Sequence, residues 1–360
     1  MTEIKANNYS VFVSKDCAKE INHFLKINKD KYSKIFILVD ENSLQYCYPQ
    51  LVANVPALVD AEIIEIESGE ENKNIEVCVQ VWSTLSEYSA DRQSLFVNIG
   101  GGVISDMGGF IASTFKRGIG FINIPTTLLS QVDASVGGKL GIDLNHLKNE
   151  IGVFNNPLAV FVDSTFLATL DKRQVISGFA EMIKHALIAD ADYWKQIKQV
   201  DFSNLENLSK LIDTSIKIKN KVVLADPFEK NIRKTLNFGH TIGHAIETYF
   251  LEQEKQTHLL HGEAIAIGMI CEAYLSNKLS GLSNKDLKEI TRFILSVYKP
   301  VKIKSSIVSR LLELMQHDKK NEQGKLNFSL LSNIGKCEIN IGATTDLIEE
   351  SLNYYSEQLS

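Results

Sequence analysis

The chain has 360 residues, 44% of them hydrophobic and 23% charged, with a formal net charge of −6. A single core stops growing at roughly 250–300 residues, so this length predicts two domains, and the acidic balance argues against a nucleic-acid partner. The polar start Met1-Thr2-Glu3-Ile4-Lys5 and the lack of any apolar run near about 18 residues predict a cytoplasmic protein without membrane contact.

In chain order, short β-branched runs predict strands at Val11–Ser14, Lys34–Asp40, Glu62–Glu67, Ser94–Ile99, Gly120–Ile124 and Ala159–Asp163, with helical patterns such as Ile75–Tyr88 between them. This alternation predicts a parallel sheet. Beyond Asp163 the pattern changes to a period near 3.6, with helices predicted over Arg173–Ala189, Leu205–Ala225, Asn231–Phe250, His261–Leu279 and Asn284–Val297. The expected fold class is α/β, with an N-terminal Rossmann-like parallel-sheet domain (residues 1–168) followed by an all-α domain (169–360).

The run Gly100-Gly101-Gly102-Val103-Ile104-Ser105-Asp106-Met107-Gly108-Gly109 follows a predicted strand and opens a predicted helix. Adjacent glycines let the backbone approach a pyrophosphate, and the helix amino terminus offers N–H groups and a favourable dipole. The G-x-G-x-x-G pattern is met only in part, because Ser105 stands where its third glycine would be. Asp40 and Glu70 follow strands, where acids can meet ribose hydroxyls, and Lys73 lies one helical turn beyond Glu70. Thr126-Thr127, after Pro125, fits either a phosphate contact or a helix cap.

Two histidines, His240 and His244, are four residues apart in Leu236-Asn237-Phe238-Gly239-His240-Thr241-Ile242-Gly243-His244-Ala245-Ile246-Glu247. On a helix both imidazoles share one face, so one can hold a divalent metal while the other meets the metal-bound substrate. His261-Gly262-Glu263 and Gly178-Phe179-Ala180-Glu181-Met182-Ile183-Lys184 supply another imidazole, a carboxylate and an amine in helical settings. Five scattered cysteines (Cys17, Cys47, Cys78, Cys271, Cys337) form no C-x-x-C pair. They are expected as free thiols, leaving a metal to His and carboxylate ligands.

Taken together, these motifs resemble 3-dehydroquinate synthase, within the wider sugar phosphate cyclases. The resemblance runs from about Asp40 to Lys336, and its most specific piece is Pro125-Thr126-Thr127-Leu128-Leu129-Ser130-Gln131-Val132-Asp133-Ala134-Ser135-Val136-Gly137-Gly138-Lys139. Further pieces are Lys116-Arg117-Gly118, Lys148-Asn149, Ser68-Gly69-Glu70, Asp318-Lys319-Lys320 and Ile334-Gly335-Lys336.

The resemblance implies conversion of 3-deoxy-arabino-heptulosonate 7-phosphate to 3-dehydroquinate and phosphate, a lyase step in aromatic biosynthesis that uses NAD catalytically and a divalent metal, zinc or cobalt. It implies NAD contacts at Asp40, Asn42, Glu70, Lys73, Gly101, Gly102, Val103, Asp106, Thr126, Thr127, Lys148, Phe166 and Thr169. Glu181, His240 and His261 would hold the metal; His258 is a rival ligand, since the stretch from Phe250 to His258 lengthens the histidine spacing. Asp133, Lys184, Asn237 and His244 would be catalytic. Lys139, Asn149, His244 and Lys336 would bind phosphate, joined by Arg117 reaching across a homodimer, while Lys219 and Arg233 would bind the substrate carboxylate.

The sequence departs from the family pattern at Asp171, Gln174, Leu140 and Leu147, which touch helix starts and loop shape. Rival readings are another sugar phosphate cyclase, an NAD- and metal-dependent oxidoreductase of the glycerol dehydrogenase type, and a non-catalytic binding protein. The first has no use for Lys219 and Arg233, and the second for so many anion-binding residues. The third predicts loss of Glu181, His240, Lys139 or Lys184, all of which are present.

Overall fold

The computed structural model describes residues 1–144, 147–202, 204–253, 258–318 and 326–359. Two compact units are present, one of Met1–Val175 with Asp201–Asn220, the other of Ile176–Val200 with Lys221–Ser360.

The first unit carries β1 (Thr2–Lys5), β2 (Ser10–Ser14), α1 (Ala18–Ile27), β3 (Ile35–Asp40), α2 (Glu41–Tyr46), α3 (Tyr48–Asn54), β4 (Glu62–Ile66), α4 (Ile75–Glu87), β5 (Leu95–Gly100), α5 (Gly102–Thr114), β6 (Gly120–Pro125), β7 (Lys139–Leu144), β8 (Leu147–Phe154) and β9 (Ala159–Asp163). Seven strands form one sheet in the order β1-β2-β9-β6-β5-β3-β4. All its pairs are parallel except β1 with β2. The central strands are apolar throughout because helices cover both faces: every residue of β5 and β9 is buried. One face packs Ile37, Val39, Val97 and Ile122 with Ile21 and Leu51, and the other packs Phe36, Leu38, Phe96 and Phe121 with Val81 and Ile111. Each such buried side chain contributes about 1.5–3 kcal/mol relative to exposure.

The remaining elements are α6 (Lys172–Ala189), α7 (Ala191–Ile197), α8 (Leu205–Ala225), α9 (His240–Leu251), α10 (His261–Leu279), α11 (Asn284–Val297), α12 (Val308–Asp318), β10 (Leu326–Asn333), β11 (Lys336–Ala343) and α13 (Thr345–Glu357). α8 belongs to the first unit as far as Asn220. The second unit is largely helical, and two differences from the sequence expectation stand out. It contains the antiparallel hairpin β10–β11. The stretch expected as one helix over Asn231–Phe250 is a 3-10 turn (Ile232–Asn237) and then α9, broken at Phe238-Gly239, where Gly239 takes a left-handed φ of 82°. The first unit likewise gains the hairpin β7–β8. Among the described residues no helix is long and apolar enough to cross a membrane.

Candidate metal centre and nucleotide site

In the first unit, β3 leads outward to edge strand β4, and the chain then returns to place β5 on the other side of β3. The strand order therefore reverses between β3 and β5, and open α/β sheets bind ligands beside such a reversal, outside the carboxyl ends of the strands. Asp40 ends β3 and Gly100 ends β5, with Gly101 capping α5 directly beyond. The predicted glycine run thus occupies the strand-to-helix turn that a pyrophosphate needs. The partial G-x-G-x-x-G match has a structural explanation. Ser105 turns its Oγ back to the carbonyls of Gly101 and Gly102, each at 3.1 Å. Close helix-to-strand packing falls to Gly108, where a Cβ would stand 2.1 Å from Asn98 Oδ1.

Around this turn Lys73, 3% exposed, donates to Asp106 Oδ2 and Asn149 Oδ1, both at 2.8 Å. Burial works against its charge, but the carboxylates of Asp106 and Glu70 outweigh it and raise its pKa. Lys148 pairs with Glu70 at 3.2 Å. Asp40 caps α2 by accepting the Ser43 N–H at 2.7 Å, and Thr127 Oγ1 accepts the Ser130 N–H at 3.2 Å, the local bond of the cap alternative. Val103 is half-buried, Thr126 and Phe166 are buried, and Asn42 and Thr169 are exposed. Lys219 Nζ lies 2.9 Å from Asp133 Oδ1 and donates to the Asp133 carbonyl at 2.6 Å. Lys139, at the start of β7, and Arg117, in a left-handed conformation (φ 71°), are both exposed.

In the second unit, the fully buried Glu181 of α6 meets α9 and α10. His240 Nε2 stands 3.4 Å and His261 Nε2 3.6 Å from Glu181 Oε1. Tetrahedral coordination with bonds of about 2.0–2.2 Å separates ligand atoms by about 3.4 Å, so both separations from Glu181 fit neighbouring ligands of a divalent ion. His244 completes the group: its ligand atom lies within 4.8 Å of those of His240 and His261. His258 is exposed in the segment before α10.

The imidazoles are oriented from behind. His240 Nδ1 lies 3.2 Å from the Phe238 carbonyl, which only accepts, so Nδ1 carries the proton and Nε2 presents its lone pair toward Glu181. His261 Nδ1 likewise faces Glu247 Oε2 at 3.1 Å, the carboxylate–histidine arrangement that backs metal ligands. Burial first, and then the Lys184 charge, pushes the His240 pKa well down and favours the neutral ligand form. For His261 burial acts the same way, but Glu247 and Glu181 override it and lift the pKa to about 9. Lys184, one turn along α6, pairs with Glu181 Oε2 and is itself 1% exposed.

Asn237 donates to Glu229 Oε1 at 2.8 Å. Arg233, 2% exposed, donates to the Pro227 carbonyl at 2.6 Å. Lys336 opens β11 on the surface. Of the Asp318-Lys319-Lys320 motif, residues 319–320 lie outside the described residues. Sequence reasoning assigned no role to Glu229, Glu247 or Glu272. Glu247 lay within the quoted histidine motif, and its register, seven residues after His240, puts it on that residue's helix face.

A doubly covered parallel sheet with a glycine-opened helix at its reversal, followed by a largely helical unit, is the architecture of the sugar phosphate cyclases. A 2-deoxy-scyllo-inosose synthase complexed with carbaglucose-6-phosphate, NAD+ and Co2+ superposes with a TM-score of 0.85 at 25% identity, covering 98% of this chain and 100% of that one. A 2-epi-5-epi-valiolone synthase from Streptomyces hygroscopicus with NAD+ and Zn2+ bound gives 0.82 at 25% identity, covering 99% of each chain. The profile of the 3-dehydroquinate synthase N-terminal family matches residues 63–177, and that of the 3-dehydroquinate synthase C-terminal family residues 178–321. A 3-dehydroquinate synthase from Parabacteroides distasonis is 46% identical over 349 residues, 96% of this chain and 98% of that protein. The chain belongs to the 3-dehydroquinate synthase family.

Proposed function

We propose that the protein converts 3-deoxy-D-arabino-heptulosonate 7-phosphate to 3-dehydroquinate and phosphate, as a carbon–oxygen lyase holding NAD and a divalent metal, zinc or cobalt. The observation that carries this reading is the Glu181-His240-His261 triad at metal-ligand spacing, in a chain 46% identical to a 3-dehydroquinate synthase. NAD binding is assigned to residues 1–168, and metal and substrate binding to the helical part, 169–360.

When bound, NAD supplies a reversible hydride acceptor, so substrate oxidation is transient and the net reaction redox neutral. A divalent ion on Glu181, His240 and His261 supplies a Lewis acid for a substrate hydroxyl. The chain's own residues position groups and hold charge. Asp133, Asn237 and the Lys184 amine orient ring hydroxyls, and Lys184 also steadies developing negative charge. The substrate carboxylate falls to Lys219 and Arg233, cations suited to charge-assisted bonds with it, a contact that sugar phosphates without a carboxylate do not offer. Lys139, Asn149, His244 and Lys336 meet the phosphate through charge-assisted bonds, and Arg117 joins them from the partner of a homodimer. The Asp40, Asn42, Glu70, Lys73, Gly101, Gly102, Val103, Asp106, Thr126, Thr127, Lys148, Phe166 and Thr169 set is assigned to NAD. A cytoplasmic location fits this biosynthetic role.

Chelator-treated protein is expected to lose phosphate release from this substrate and to regain it with added zinc or cobalt. Full release by the chelated protein in metal-free buffer would overturn the metal assignment.

A further inference from the structure

Glu272 lies in the middle of α10 and is fully buried. Its Oε2 accepts the Gly239 N–H at 2.7 Å and its Oε1 the Ile242 N–H at 3.2 Å. Gly239 has no side chain with which to cap α9, so a carboxylate from the neighbouring helix caps it instead, favourably placed at the positive end of the dipole. One turn earlier on α10, Gly268 admits this approach: a Cβ there would stand 2.0 Å from the Gly239 carbonyl oxygen.

The Gly239 N–H belongs to the same peptide group as the Phe238 carbonyl, and that carbonyl faces His240 Nδ1 at 3.2 Å. The bonds therefore run in series from the Glu272 carboxylate, through one planar peptide, to the imidazole. Hydrogen bonds in such a chain polarise one another. We propose that Glu272 is a positioning residue for His240, acting through the Phe238–Gly239 peptide. Both imidazoles of the triad are then backed by a buried carboxylate, His261 directly by Glu247 and His240 at one peptide's remove by Glu272. This rests on the reading of His240 as a metal ligand.

The test uses cobalt-loaded full-length protein, with affinity measured by chelator competition and ligand geometry by the visible absorption bands. Glu272→Ala is expected to weaken Co2+ binding about 10- to 100-fold, the usual cost of losing an outer-shell partner, and to shift the bands. Glu272→Gln keeps an acceptor for one N–H but loses the charge, and is expected to fall between wild type and Ala. Ser276→Ala, which removes the acceptor for the Leu331 N–H one turn further along α10, is expected to lower the melting temperature without moving the bands. Glu272→Gln protein with wild-type affinity and spectrum would overturn the proposal, whether or not the Ala variant folds. His240→Ala separates the underlying reading: lost Co2+ binding upholds it, whereas wild-type binding would sink both.

Discussion

Glu181 offers one oxygen to two imidazoles and the other to Lys184, all inside a buried helical cluster. Replacing it with Gln removes the one negative charge among the proposed ligands. Metal affinity is expected to fall by more than the about 10- to 100-fold typical of outer-shell changes, with phosphate release falling in parallel. Stoichiometric zinc in purified Glu181→Gln protein, by elemental analysis, would contradict this. His261 makes a second prediction, for the metal-free protein. Its folded pKa, raised to about 9, exceeds the ordinary 6.5, so between these values the folded state binds more protons than the unfolded one. The stabilisation is complete below about pH 6.5 and is lost as pH rises through 9, so the melting temperature should fall across that window. Glu247→Gln should flatten the fall, and an unchanged slope in that variant would refute the assignment. The residues that hold the triad were unevenly legible. His240 and His244 announce themselves because four residues is one helical turn. Glu272 does not, because it sits thirty-odd residues downstream in an ordinary apolar helix and acquires its partners only when α9 and α10 pack.

At the scale of elements, the approach of α10 to α6 and to the start of α9 depends on glycine. A Cβ at Gly262 would stand 1.8 Å from the Ser177 carbonyl oxygen, and one at Gly268 2.0 Å from that of Gly239. Both obstacles are backbone, which cannot swing aside. Gly268→Ala is expected to destabilise by at least about 1–3 kcal/mol, the range for overpacked cores, and to weaken metal binding by displacing His240. Denaturant titration checks the first part, and a stability within 0.5 kcal/mol of wild type, as for ordinary surface changes, would show that the helices readjust without cost. The long periodic helices and the apolar parallel strands were legible because burial on one stripe or on both faces imposes a repeat. The break at Phe238-Gly239 was not, since the apolar period continues through it and a single glycine is tolerated inside many helices. The hairpins escaped for other reasons. β8 carries Lys148, Asn149 and Glu150 together, which masks its strand character, and β11 buries Ala343 alone, so its alternation marks no core face.

For the whole molecule, the sequence specifies the order of parts well. The reversal between β3 and β5 brings Asp40 and the Gly100–Gly102 turn to neighbouring strand ends, although sixty residues of chain separate them. That juxtaposition arises from strand order, which local pattern does not encode. The proposed homodimer gives a prediction of its own. Arg117→Ala should raise the Michaelis constant about 10- to 100-fold, the cost of one lost charge-assisted hydrogen bond of about 1.5–3 kcal/mol. If Arg117 serves the partner's site, co-expressing Arg117→Ala with the inactive Glu181→Gln chain should restore one complete site per mixed dimer. Activity no better than that of Arg117→Ala alone would place the arginine in its own subunit's site.

The central claim is a redox-neutral cyclisation, and the most direct measurement of it is the number of substrate molecules consumed per NAD. Zinc-loaded protein with trace NAD and 3-deoxy-D-arabino-heptulosonate 7-phosphate should release phosphate over many turnovers, with no net NADH and with 3-dehydroquinate as the organic product by NMR. NADH accumulating in step with substrate loss, or phosphate release that stops at one equivalent of NAD, would contradict the account and leave a net dehydrogenase in its place.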